Sequence, residues 1–260
     1  MEMNFFDANC SIGKLTRPTP ETIMTVEQLL TEMEHFNINE ALVCHNQAIE
    51  RAIDTGNRKI LKMIKGYPQL HPAWVFPMHT SVDYTNPEKI VSEMLDLGVR
   101  SVRIEPSPYN GYLVEEWALG PLWKQFELHK VPVMLVGSDL SRYPDQPAKG
   151  FSAQNVYEIC KRYPNIPFTL LRINFSATRV LLPLLKECPN LHVEVSYFTA
   201  HRGVEYLSQN IGAERILFGS GLPWGPPGPG KVSINYAEIS DEERKLIAGD
   251  NLRRLMNEVS

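Results

Sequence analysis

The chain has 260 residues, a formal net charge of −4 and a 43% hydrophobic share, values that suit one large soluble domain over 1–260. No block of lysine and arginine marks a nucleic-acid groove, and no stretch nears the roughly 20 apolar residues that span a bilayer. The start, MEMNFFDANC, lacks the basic-then-apolar order of a secretory signal, so neither nucleic acid nor membrane is expected as a partner. Four cysteines, Cys10, Cys44, Cys160 and Cys188, have no CxxC spacing. They read as buried thiols in a reducing cytoplasm rather than as a disulfide frame or zinc ribbon.

In chain order, strands are predicted at Asn4–Cys10, Glu40–His45, Pro72–Met78, Arg100–Pro106, Pro132–Ser138, Pro167–Asn174, His192–Phe198 and Arg215–Ser220. Runs such as VPVMLV and PFTLLRI are continuously apolar, as strands covered on both faces must be. Segments of helical period separate them. In Val26–Phe36, the residues Val26, Leu29, Leu30, Met33 and Phe36 form one stripe, and Thr25 with Gln28 makes a capping-box pattern. Further helices are predicted at Ile90–Leu97, Pro121–Leu128, Ser152–Arg162, Thr178–Lys186 and Val204–Asn210. A last one, Asp241–Asn257, follows Ser240 as N-cap. The run Gly225–Gly230 reads as a stiff loop. Eight strands alternating with helices predict an α/β fold, a single (β/α)8 TIM barrel. A Rossmann-like open sheet would want G-x-G-x-x-G after the first strand, and none is there.

Several segments together resemble the amidohydrolase-related family. Arg215-Ile216-Leu217-Phe218-Gly219-Ser220-Gly221-Leu222-Pro223 is similar to its last strand, R-(I/V)-L-F-G-S-D-x-P. Phe6–Gly13 resembles its D-x-H-x-H-x-G segment, and Gly56-Asn57 with Tyr67–Pro72 resembles its "gN…P" run. Gly98–Ile104 resembles its fourth strand, and Ile239–Met256 its closing helix. The resemblance covers essentially the whole chain and implies an amidohydrolase-like barrel with a hydrolase's metal-activated water. It also implies metal ligands at five positions. These fall on Asn9, Ser11, Val136 or Gly137, Arg172 and Gly221. None is an imidazole or carboxylate, so no metal is expected in the family's place.

Residues at the C-terminal strand ends face the functional mouth of a barrel. His45 and His79, each following an apolar run, are candidate general bases; a histidine hydrogen-bonded to a neighbouring loop is the competing reading for each. Glu105 and Asp139 are further acid–base candidates. Alternation puts Arg103 and Glu105 on one side of the fourth strand, where they can also form a structural salt bridge. His45, His79 and Glu105 together are an alternative, relocated zinc site. Arg172 is a candidate carboxylate clamp, with pairing to a buried Asp7 or Glu194 as the competing reading. Asn9, Ser11, Asn174 and Trp224 complete the candidate substrate-binding set, and Ser220 is read as a strand-end hydrogen-bonder.

Two functions fit this pattern. One is a hydrolase acting without metal on a small organic substrate bearing a carboxylate or lactone. The other is an inactive barrel that binds a small molecule or a protein partner. A homo-oligomer is expected, because barrels associate through their outer helices.

Overall fold

Alternation along eight short strands sorts the apolar side chains into two cores. The computed structural model describes residues 3–20, 22–76, 86–105, 114–137 and 151–260. Its strands are β1 Phe6–Ile12, β2 Glu40–His45, β3 Leu70–Phe76, β4 Ser101–Ile104, β5 Val133–Val136, β6 Phe168–Leu171, β7 Leu191–Glu194 and β8 Ile216–Leu217. All neighbours pair in parallel and in sequence order. Inward residues such as Ala8, Leu42, Val75, Met134, Leu171 and Leu217 fill the barrel. Outward residues such as Trp74, Phe76, Val133, Phe168 and Val193 pack under the helices. The ring closes where Ala8 N–H donates to the Phe218 carbonyl (3.0 Å) and Gly221 N–H to the Asn9 carbonyl (3.1 Å). The (β/α)8 barrel predicted from the strand–helix rhythm is thus the observed architecture. No helix among the described residues is long and apolar enough to cross a membrane.

Strands β4 to β8 stop earlier than their apolar runs suggest. At β6 the chain turns at Arg172, whose φ of 57° is left-handed, a conformation no strand continues through. At β8 the ladder ends because Phe218 N–H donates to Ile247 O (2.9 Å). That carbonyl lies in a wide π turn, Leu246–Asp250, between the helical stretches Asp241–Lys245 and Asn251–Asn257, and such turns release carbonyls from the helical ladder. The predicted caps are present. Thr25 Oγ1 accepts from Gln28 N–H (3.3 Å), and Ser240 Oγ accepts from Glu243 N–H (3.2 Å).

Three elements differ from expectation. Gly225–Gly230 is not loop throughout: a helix, Gly228–Asn235, begins inside it with Pro229 in its first turn, where proline's missing N–H costs nothing. Helices Asn46–Glu50 and Ile53–Met63 also follow β2. They explain the Gly56-Asn57 pair. A Cβ at Gly56 would lie 2.3 Å from Ala48 N, so only glycine lets the two helices meet. Asn57 is fully buried. Its amide donates to Val75 O (3.0 Å) and accepts from Val75 N–H (2.9 Å), beyond the point where the β2–β3 register ends at Val43 and Pro72.

Asn57→Ala leaves that N–H and carbonyl unpaired in the core and is expected to lower stability by about 1–3 kcal/mol. Urea unfolding of the two proteins measures it, and a loss within error of zero contradicts the role assigned to Asn57.

Candidate active site at the barrel mouth

The inward positions at the top of β1, β4, β6 and β7 carry Asn9, Arg103, Glu105, Arg172 and Glu194, and these side chains meet. Arg103 Nε donates to Glu105 Oε2 (2.8 Å) and Arg103 NH1 donates to Asn9 Oδ1 (3.0 Å). Arg172 NH1 donates to the other oxygen of the same carboxylate, Glu105 Oε1 (3.1 Å). Asn9 Nδ2 donates to Glu194 Oε2 (3.0 Å), which also accepts from Ser196 Oγ (2.8 Å) and Arg172 N–H (3.3 Å). Ser196 N–H donates to Glu194 Oε1. Below them, Asp7 Oδ1 accepts from the N–H groups of Asn9 and Ser220, each at 2.8 Å. Ser220 therefore bonds the strand end as expected, and its Oγ also accepts from Leu222 N–H (3.0 Å).

The three carboxyls respond differently to burial. Burial opposes the charge of Glu105, yet the Arg103 and Arg172 guanidiniums outweigh it and hold its pKa below the ordinary value. Glu194 and Asp7 are pushed above theirs by burial, despite the hydrogen bonds they accept. Arginine stays protonated in proteins. Two fixed cations thus share one carboxylate, and burial disfavours the charge of the two neighbouring acids.

Arg172 keeps one edge free. Its Nε and NH2 are buried and have no hydrogen-bond partner, and its guanidinium carbon lies 5.1 Å from the ring centroid of Trp224, cation–π range. The expected alternative partners were Asp7 and Glu194. The side chain instead pairs with Glu105, because the left-handed backbone at Arg172 turns its N–H, not its guanidinium, toward Glu194. Ser11 is fully buried with an unpaired Oγ, on the inward face with Cys44 across the β1–β2 register.

Other sequence candidates lie elsewhere. His45 follows Cys44 and so takes the helix-facing side of β2. It caps Asn46–Glu50, its Nδ1 accepting from Gln47 N–H (3.0 Å), and its ring packs on Gly13, where a Cβ would come within 2.6 Å of Nε2. Burial and the Lys59 charge lower its pKa to about 4, so it is neutral with its Nδ1 lone pair committed. His45 and Glu105 consequently do not share a face, as a joint zinc site would require. Asn174 is exposed, its Oδ1 accepting from Ser176 N–H (3.1 Å) at the start of a short 3-10 turn. His79 and Asp139 lie outside the described residues. Among the described residues no three His, Cys, Asp or Glu side chains group to hold a metal ion. Of the five positions aligned with metal ligands, Asn9 and Arg172 hold an amide and a guanidinium within the network, and Gly221 has no side chain. This set does not fit a divalent cation. Gly221 has a φ of +75°, and a Cβ there would stand 3.0 Å from Tyr197 Cε2 and 3.4 Å from Ser196 Oγ. Arg103 and Glu194 were not among the site candidates. Period-two spacing pairs Arg103 with Glu105 as a structural salt bridge, and the same spacing of Glu194 with Ser196 is the signal that could have found Glu194.

Glu105→Gln leaves two buried guanidiniums without their anion and is expected to cost about 3–5 kcal/mol at pH 7. A carboxylate held below its ordinary pKa stabilises above the unfolded value, about 4.3, and loses that contribution as pH falls further. The gap between the two proteins should therefore narrow below about pH 4 in denaturant titrations; a gap independent of pH contradicts the pairing. For His45 the folded pKa is depressed, so its contribution is complete above about 6.5 and declines toward pH 4. His45→Asn keeps a capping acceptor and is expected to show a shallower fall of Tm between pH 6.5 and 4 than wild type. Identical slopes contradict the buried neutral cap.

A family profile described as Amidohydrolase matches residues 49–257. No curated protein sequence matches the chain. Among solved structures, the dihydroxybenzoic acid decarboxylase of Polaromonas sp. JS666, with bound manganese and the inhibitor 2-nitroresorcinol, aligns with a TM-score of 0.76. It is 12% identical, over 98% of this chain and 97% of that one. An uncharacterized TIM-barrel protein from Bordetella bronchiseptica has a TM-score of 0.75 and 18% identity, over 98% and 99% of the two chains. A putative 2-pyrone-4,6-dicarboxylic acid hydrolase from Pseudomonas putida has a TM-score of 0.68 and 15% identity, over 99% of both. These similarities establish the fold, and the profile match, together with the motifs of β4, β8 and the closing helix, establishes the lineage: the chain belongs to the amidohydrolase family.

Proposed function

We propose that the chain is a hydrolase of a small carboxylate-bearing ester or lactone, that its mouth grips the carboxylate through Arg172, and that it works without the family's metal. The observation that carries this reading is the free Nε–NH2 edge of Arg172, two parallel donors matched to the two oxygens of a carboxylate. Support also comes from the similar structures, two of which are described as acting on dihydroxybenzoic acid and on 2-pyrone-4,6-dicarboxylic acid. Glu105 positions Arg172 rather than taking protons, since two guanidiniums hold it ionised. Ser11 supplies an unpaired hydroxyl, Asn9 holds Arg103 in place, Trp224 walls the clamp, and Asn174 stands at the rim. His79 and Asp139 are the proposed acid–base pair.

One observation favours a second reading, a barrel that binds an organic acid without converting it. The carboxylates of the described mouth are already engaged, Glu105 by two arginines and Glu194 by Asn9, Ser196 and the Arg172 backbone. Turnover of a panel of carboxylate-bearing lactones and esters, with and without chelator, separates the readings. The hydrolase reading expects chelator-insensitive turnover. It also expects Arg172→Lys, which keeps the charge beside Glu105 but loses the fork, to lower kcat/KM by about 30-fold or more, equivalent to about 2 kcal/mol. No turnover, with organic acids still raising Tm in an Arg172-dependent manner, selects the binding reading. Chelator-abolished turnover overturns both.

A further inference from the structure

Trp224 is a wall shared by two features, the Arg172 clamp and a cavity on the same end of the barrel. The cavity has a volume of about 800 Å³ and lies between the segment after β1 and the segment after β8, with Leu15, Ile23, Phe36, Leu222, Pro223 and Trp224 among its lining residues. Polar groups of Gln28, Thr31 and Glu32 stand on the helix that flanks it. The walls are tied to the barrel. Ser11 N–H donates to Leu222 O (3.0 Å) and Gly13 N–H to Ile23 O (2.9 Å). Trp224 is pinned at both ends of its peptide, its N–H donating to Gly221 O (2.8 Å) and its carbonyl accepting from Tyr197 Oη (2.9 Å). The cavity is therefore formed before any ligand arrives, and its volume is in the range of sites that enclose small molecules.

Trp224 is 39% exposed, and the Arg172 guanidinium lies over its ring. One indole thus stands between a pair of unpaired cationic donors and a cavity that is mainly apolar, with Arg17 and Glu32 as its charged lining residues. A compact acid held at Arg172 would leave that space empty. We infer that the ligand is amphipathic: its carboxylate sits on the free edge of Arg172 and an extended apolar tail passes Trp224 into the cavity. This rests on the proposed carboxylate clamp and adds the class of acid it selects, one with a medium-length alkyl or arylalkyl chain rather than a compact ring acid.

Isothermal titration of the full chain with butanoate, pentanoate, hexanoate, heptanoate and octanoate tests it, with octan-1-ol as the tail without the charge. Each added methylene buried should tighten Kd by about fourfold. Octanol should bind more weakly than octanoate, and Arg172→Lys should weaken every acid. Thr31→Trp, which fills the cavity from an exposed helix position away from the clamp, should flatten the chain-length dependence while leaving butanoate binding unchanged. Arg172-dependent binding with no dependence on chain length overturns the tail site and leaves the clamp standing. Length-dependent binding indifferent to Arg172→Lys overturns the clamp and the amphipathic ligand with it. Absence of binding by every acid overturns both.

Discussion

A single carboxylate shared by two guanidiniums sets the arrangement of the whole mouth. Removing charges from water costs several kcal/mol for each ion unless partners are close and hydrogen bonds are complete. Arg103 and Arg172 rise from β4 and from the end of β6, and Glu105 offers one oxygen to each. The remaining contacts follow in sequence. Arg103 has a further donor, so Asn9 must present its carbonyl oxygen to it. That orientation sends the Asn9 amide nitrogen to Glu194, and Glu194 in turn gathers Ser196 and the Arg172 N–H. Gly219 belongs to the same chain of constraint, because a Cβ there would lie 2.5 Å from Glu194 Cδ.

The fold was legible because it depends on local signals. Eight apolar runs separated by helical periods specify a barrel without knowledge of which side chains meet, and Thr25 and Ser240 marked helix starts by cap chemistry alone. Strand ends were less legible: β6 ends at the left-handed backbone of Arg172, and β8 ends at a hydrogen bond to Ile247. Neither is visible in composition. The site divides in the same way. The Arg103–Glu105 pair follows from two-residue alternation within one strand. The Arg172–Glu105 pair joins residues just past β4 and β6, with β5 between them, and sequence offered Asp7 or Glu194 as partners instead. His45 carried the right chemistry for a base. The same alternation that puts Cys44 inside the barrel turns His45 out toward the helices, where it caps Asn46–Glu50.

On the proposed reading, the mouth exchanges a bound cation for covalent ones. Asn9, Arg172 and Gly221 occupy three positions that the family resemblance assigns to metal ligands, and they bring an amide, a positive charge and an absent side chain. The left-handed backbone at Gly221 and its closeness to Tyr197 and Ser196 leave little room for the aspartate of the family's pattern. Two guanidiniums stand there instead, beside acids whose charge burial disfavours. Those guanidiniums would attract a substrate anion with no ion to recruit, and their own charge does not change across the neutral pH range.

The most direct test of a mouth with built-in cations is elemental analysis of protein expressed in medium supplemented with zinc and manganese and then dialysed. Far less than one equivalent of either metal per chain is expected, with a Tm unchanged by chelator. About one equivalent per chain, removed by chelator with a fall in Tm, would contradict a metal-free mouth.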